Sequence, residues 1–148
     1  MASTWDVDAA LLAMLQADSA LVGIVTDGIW FGEARATALK YCQVAQIDHS
    51  DEPMFQDGAP FGVAYETILY QVKAVIQNTS AVPAINAAVR IEAVLRSLTR
   101  ATFTPTNYLL LDVVRTQRIR YNERDKANAD LFWQHSGGQY QVRMVPTS

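Results

Sequence analysis

Three features of this sequence predict an α+β fold, with two main helices on one face of a largely antiparallel or mixed sheet. Two stretches place apolar residues at helical spacing. The β-like runs come in groups and do not alternate strictly with helices, unlike a doubly wound parallel fold. One of these runs is long enough to form a projecting strand or hairpin. The chain has 148 residues, half of them hydrophobic, so a single domain spanning 1–148 is expected. Folding at that size buries roughly 70% of the surface exposed by the unfolded chain.

The first helix is expected over about residues 6–17, capped by Thr4 or Asp6. Its apolar stripe is Val7, Leu11, Met14 and Leu15, widened by Leu12. Asp18-Ser19 caps a short second turn through Leu21 and Val22, before Gly23. Asp27-Gly28 is a turn signal ahead of the β-like run Ile29-Trp30-Phe31. Tyr41 to Ile47 reads as a strand. The segment from His49 to Gly62 holds Pro53, Gly58, Pro60 and Gly62 among acids, and reads as a long polar loop.

Tyr65 to Gln77 is the clearest strand, with Ile68, Tyr70, Val72, Ala74 and Ile76 on one face. Ser80 is the expected cap of a helix over Val82 to Leu98, whose stripe is Ala84, Ala88, Ile91, Leu95 and Leu98. After a break at Pro105-Thr106-Asn107, Tyr108 to Tyr121 reads as a strand of roughly 45 Å, long enough to project past its own domain. A last strand runs over about Leu131 to Val145, with Gly137-Gly138 marking a bulge. The expected core includes Ile68, Tyr70, Val72, Ile91, Leu95, Leu109, Leu111 and Val142.

The net charge of −3 conceals an asymmetry: residues 1–66 carry −8 and residues 67–148 carry +5. Either the two halves fold together and their charges intermingle, or they form opposed surfaces that steer one copy onto the next. In the second case the basic strand end, Arg115, Arg118, Arg120, Arg124 and Lys126, meets the acidic Asp51, Glu52 and Asp57 of a neighbour. Basic strands with aromatics also bind nucleic acid. The acidic chain, with a pI near 5.2 and no RNA-binding signature, argues against that use.

Little else suggests chemistry. A single cysteine, Cys42, excludes an internal disulfide and suits a reducing compartment. Its place in a β-like run makes it a small buried hydrophobe rather than a nucleophile. His49 and His135 are the only histidines. Neither belongs to a close metal-ligand pattern, so His49 is expected in a loop and His135 at a polar position before the glycine pair. Asp48, Asp51 and Glu52 lack the EF-hand pattern and read as a solvated loop. There is no nucleophile elbow and no phosphate-binding glycine loop. No cofactor and no catalytic residue are expected. The start of the chain lacks the pattern of a secretory signal, and no run approaches the ~18 apolar residues of a membrane helix. Asn78-Thr79-Ser80 matches a glycosylation sequon by chance.

The opening Ala9-Ala10-Leu11-Leu12-Ala13-Met14-Leu15, the following Asp18-Ser19-Ala20-Leu21-Val22 and the Asp27-Gly28-Ile29-Trp30 segment together resemble tail terminator or tail completion proteins of long-tailed bacteriophages. Thr67 to Ala74 resembles their central strand, and Ala87 to Leu95 the helix that follows it. The Arg-rich strand and the closing Tyr140-Gln141-Val142-Arg143-Met144 also fit. The resemblance implies a non-enzymatic virion protein of the tail or neck, assembled in the host cytoplasm as a homo-oligomeric ring, typically a hexamer. Its implied partners are the tail tube protein and a head-completion or connector protein, with genomic DNA passing through the lumen without specific binding and no membrane. A connector-ring subunit is the alternative within assembly proteins. A small ligand-binding protein or an unrecognised enzyme is the alternative from another class.

Overall fold

A computed structural model describes residues 3–56 and 59–147. The elements run α1 (Thr4–Gln16), α2 (Ser19–Ile24), β1 (Ile29–Phe31), β2 (Lys40–Gln56), β3 (Ala59–Gln77), α3 (Val82–Arg96), β4 (Tyr108–Arg124) and β5 (Phe132–Pro146). The five strands form one mixed sheet in the order β1-β2-β3-β5-β4. Only β1 pairs in parallel, with β2; the other pairs are antiparallel. The fold is α+β, with the helices packed against the sheet.

Local chemistry accounts for the element ends. Ser3, rather than Thr4 or Asp6, caps α1, its side chain accepting from the Trp5 N–H at 3.3 Å. Asp18 caps α2 by accepting from the Leu21 N–H at 3.0 Å. The N-cap of α3 is Ala81, not Ser80, although the Ser80 hydroxyl accepts from the Val82 N–H. Gly28, at φ 103°, takes the left-handed turn into β1.

The core lies between the helices and one face of the sheet. Val7, Leu11 and Leu15 of α1 and Ala87, Ile91 and Leu95 of α3 pack with Cys42, Val44, Ile68, Tyr70, Val72, Ala74, Tyr140, Val142 and Met144. Leu109 and Leu111, expected in the core, are instead 43% and 40% exposed. In the unbroken apolar run Leu109-Leu110-Leu111 only one alternate can face inward. Tyr108 and Leu110 take those places, and the register shifts between Leu110 and Asp112.

Two further expectations are corrected. The segment 49–62 is no polar loop. Its residues up to Gln56 and from Ala59 belong to the antiparallel β2–β3 hairpin, with register shifts between Glu52 and Pro53 and between Met54 and Phe55. Proline is tolerated at such irregularities, where a ladder hydrogen bond is already lost. The glycine pair is no bulge: Gly137 and Gly138 sit in uninterrupted register with Lys73 and Val72, and the nearby shift lies in β4 between Arg115 and Gln117. A Cβ at Gly137 would stand 2.1 Å from the Val72 carbonyl oxygen and 2.5 Å from the Lys73 Cα, so glycine is there for close backbone approach.

Ladder lengths also decide which element projects. Although β4 has 17 residues, it pairs with β5 from Tyr108 to Arg124, and β5 in turn pairs with β3 from Trp133 to Met144. The basic strand therefore does not overhang the sheet. The overhang belongs to the β2–β3 hairpin, whose pairs from Glu52–Tyr65 to Gln56–Ala59 have no β5 partner beyond Glu66–Met144.

Two stability predictions follow from the packing and the caps. Leu95, 1% exposed, should cost about 2–5 kcal/mol when replaced by Ala in chemical denaturation. Asp18 both caps α2 and accepts from Arg90 Nη2 at 2.7 Å. Arg90, together with the Leu21 N–H, holds its carboxyl below the ordinary aspartate value of 3.8. Asp18→Ala should then lose about 1–2 kcal/mol at neutral pH. The wild-type contribution exists above pH 3.8 and is lost as pH falls through the lower folded value, so the two proteins converge in acid.

Candidate functional site

Two surfaces carry the charge that the sequence singles out, and they lie on different elements. The first is a groove between α3 and the β4–β5 pair, about 120 Å³ in volume. Ile85, Ala88 and Val89 line its helix side; Arg115, Arg118, Arg120 and Tyr140 line its sheet side. Arg118 and Arg120 share this face because they pair with Gly138 and Ser136, the residues flanking Gly137 and opposite its face. The small facing residues leave room for the long arginine side chains. Val89 adds an exposed apolar surface, 60% accessible.

The basic residues are not equivalent. Arg115 ion-pairs with Glu92 of α3 at 2.6 Å, and Glu92 also holds Arg96 at 2.5 Å. Arg124 donates to the Ala129 carbonyl at 2.8 Å and covers the Phe132 ring, closing its own turn. Arg118 and Arg120 form no ion pair among the described residues, and Lys126 is exposed beside the β4–β5 turn. The two halves' charges therefore intermingle in part, while Arg118, Arg120 and Lys126 have no ion-pair partner among the described residues.

The second surface lies on β2 of the β2–β3 hairpin. Asp48, His49, Asp51 and Glu52 are all solvent-exposed on β2. Asp57 lies outside the described residues. His49 is a strand residue rather than a loop residue, with Nε2 3.2 Å from Asp51 Oδ1 and 3.8 Å from Glu66 Oε2 on β3. Beneath it, the Tyr70 hydroxyl donates to the buried Asp8 carboxylate. Burial raises the Asp8 pKa above its ordinary value. Sequence reading did not bring Glu66 to His49, because strand register places it there.

A third polar cluster fills the sheet face away from the helices. His135 is 7% exposed, stacks on Tyr121 with ring centroids 4.3 Å apart, and meets Glu123 Oε1 at 2.7 Å. Lys73 Nζ donates to the Tyr121 hydroxyl at 2.9 Å. Burial, opposed by the Glu123 hydrogen bond, lowers the His135 pKa and favours neutral imidazole. The position is thus a packed polar bridge between β3, β4 and β5. Cys42 is fully buried, and burial pushes its thiol up to about 12.

The geometry and topology define a small α+β chain with exposed acidic residues on β2 near the overhanging end of the β2–β3 hairpin, and a basic, partly apolar groove. Its fold is shared along nearly its whole length with a chain described as "Virion of native gene transfer agent (GTA) particle". That likeness covers 91% of this chain and 92% of the other, at TM-score 0.52 and 16% identity. No protein-family model matches the sequence, and no curated protein matches it.

The buried thiol gives a direct check on this geometry. Cys42 should resist a thiol reagent such as DTNB in the native state and react only at the rate of unfolding. Stoichiometric labelling within seconds of mixing under native conditions would contradict its placement.

Proposed function

We propose that this chain is a virion structural protein of the phage type, a ring-forming tail terminator that caps the tail tube and joins tail to head. The observation that supports this reading most is the whole-length fold likeness to a virion chain of a gene transfer agent particle. The resemblance of its helix, turn and strand segments to phage tail terminators supports the finer role.

In the proposed ring, copies associate head to tail and close by rotation, probed most simply as a hexamer. The acidic hairpin of one copy, with Asp51, Glu52 and Asp57, approaches the basic groove of its neighbour. Arg118, Arg120 and Lys126 offer charge with no ion-pair partner among the described residues; Arg115 and Arg124 are already held by their own chain, and Arg115 lines the groove. Exposed ion pairs contribute only about 0–1 kcal/mol each, so they set orientation, while apolar contact at Val89 and strand-edge pairing supply most of the affinity. The tail tube protein and a connector or head-completion protein bind the two ring faces, and DNA crosses the lumen unspecifically.

Reversal of Arg118 and Arg120 to Glu should weaken ring closure while leaving thermal stability within about 1 kcal/mol, because both side chains are exposed. Sedimentation velocity alongside thermal unfolding checks this, and Glu52→Lys in the same chain should restore part of the assembly. Rings that form unchanged in the double variant would contradict the role given to the groove.

A further inference from the structure

We propose that His49, Asp51 and Glu66 form a binding site for one divalent transition-metal ion of the zinc class, clipping β2 to β3 at the base of the overhanging hairpin. His49 and Asp51 are alternate residues on β2, and Glu66 is the cross-strand partner of Asp51. The register shift between Gln46 and Asp48 makes this possible. Gln46 pairs with Tyr70 and His49 with Ile68, so the extra residue turns His49 and Asp51 toward the side of Glu66, in place of Asp48 and Ser50.

The donor geometry fits an ion. All three side chains offer a ligand atom within 4.8 Å of the others. Four-coordinate zinc, with bonds of about 2.0–2.2 Å in tetrahedral geometry, holds its donors about 3.3–3.6 Å apart. The separations here are 3.2 Å from His49 Nε2 to Asp51 Oδ1 and 3.8 Å from His49 Nε2 to Glu66 Oε2. Glu66 Oε2 is also shielded from solvent without a hydrogen-bond partner, a costly state for a carboxylate oxygen that a cation would relieve. The Tyr108 hydroxyl lies within electrostatic reach of the same carboxyl group, where an outer partner of a metal ligand would stand. The imidazole selects zinc-like ions over magnesium or calcium, which favour all-oxygen shells. With the side chains of His49 and Asp51 31% and 50% exposed, the ion can enter from solvent, and water completes its shell.

The inference does not depend on the proposed ring, since all three ligands come from one chain. Untagged protein stripped with EDTA is titrated with zinc chloride by calorimetry and with cobalt(II) by visible absorption. One ion per chain is expected, with cobalt d–d bands of a low-coordinate site and a raised thermal midpoint. His49→Ala and Glu66→Gln should each weaken binding by about tenfold or more. Should Glu66→Gln fail to fold, Asp51→Asn at the exposed position carries the same test. Absence of zinc binding by the wild-type chain, or equal binding by His49→Ala and wild type, would overturn the site.

Discussion

Strand β3 is hydrogen-bonded along both edges, to β2 and to β5, while its alternate residues Ile68, Tyr70, Val72, Ala74 and Ile76 are fully buried beneath the helices. A slip of one residue would turn all five toward the opposite face, so burial fixes this register strongly. The remaining geometry follows from it. Gly137 must pass against the Val72 and Lys73 backbone, where no larger residue fits. Its neighbours Gly138 and Ser136 then set Arg118 and Arg120 on the groove side of β4. On the other flank, β2 follows β3 beyond the end of β5, so the hairpin from Glu52 and Tyr65 outward overhangs the sheet, with Asp48 and Asp51 at its base.

Charge is arranged on this frame in two ways. Some pairs fasten elements of the chain together: Asp18 with Arg90 ties the start of α2 to α3, Glu92 with Arg115 ties α3 to β4, and Asp112 with Arg143 ties β4 to β5. These pairs are partly exposed, so they contribute orientation more than stability. Other charges have no partner within the described chain, notably Arg118 and Arg120. Unpaired charge beside the apolar, exposed Val89 is what the proposed assembly uses. It suits an interface whose core is apolar and whose rim is polar.

Much of this was legible in the sequence wherever a period was clean. The α1 and α3 stripes and the alternation from Tyr65 to Gln77 located both main helices and the central strand, and Asp18 announced its own cap. Legibility failed where local chemistry and tertiary pairing disagreed. Pro53, Pro60 and Gly62 signal turns, yet the hairpin strands continue through them because register shifts absorb the irregularity. The run Leu109-Leu110-Leu111 has no alternation to read, so its exposed members were indistinguishable from the buried one. The approach of Glu66 to His49 depends on a single extra residue in β2, which no spacing within either strand reveals. Arg115 and Arg124 shared the basic pattern with Arg118 and Arg120; only the positions of Glu92 and the Ala129 carbonyl separate them.

The proposed role in tail termination is tested most directly by deleting this chain from the genome that encodes it and measuring particle morphology by electron microscopy. Loss of a terminator should yield tubes of irregular, extended length together with heads that carry no tails, and supplying the chain in trans should restore both. Tails of normal length joined to heads would contradict the account, and uniform tails left unjoined would assign the chain to the connector instead.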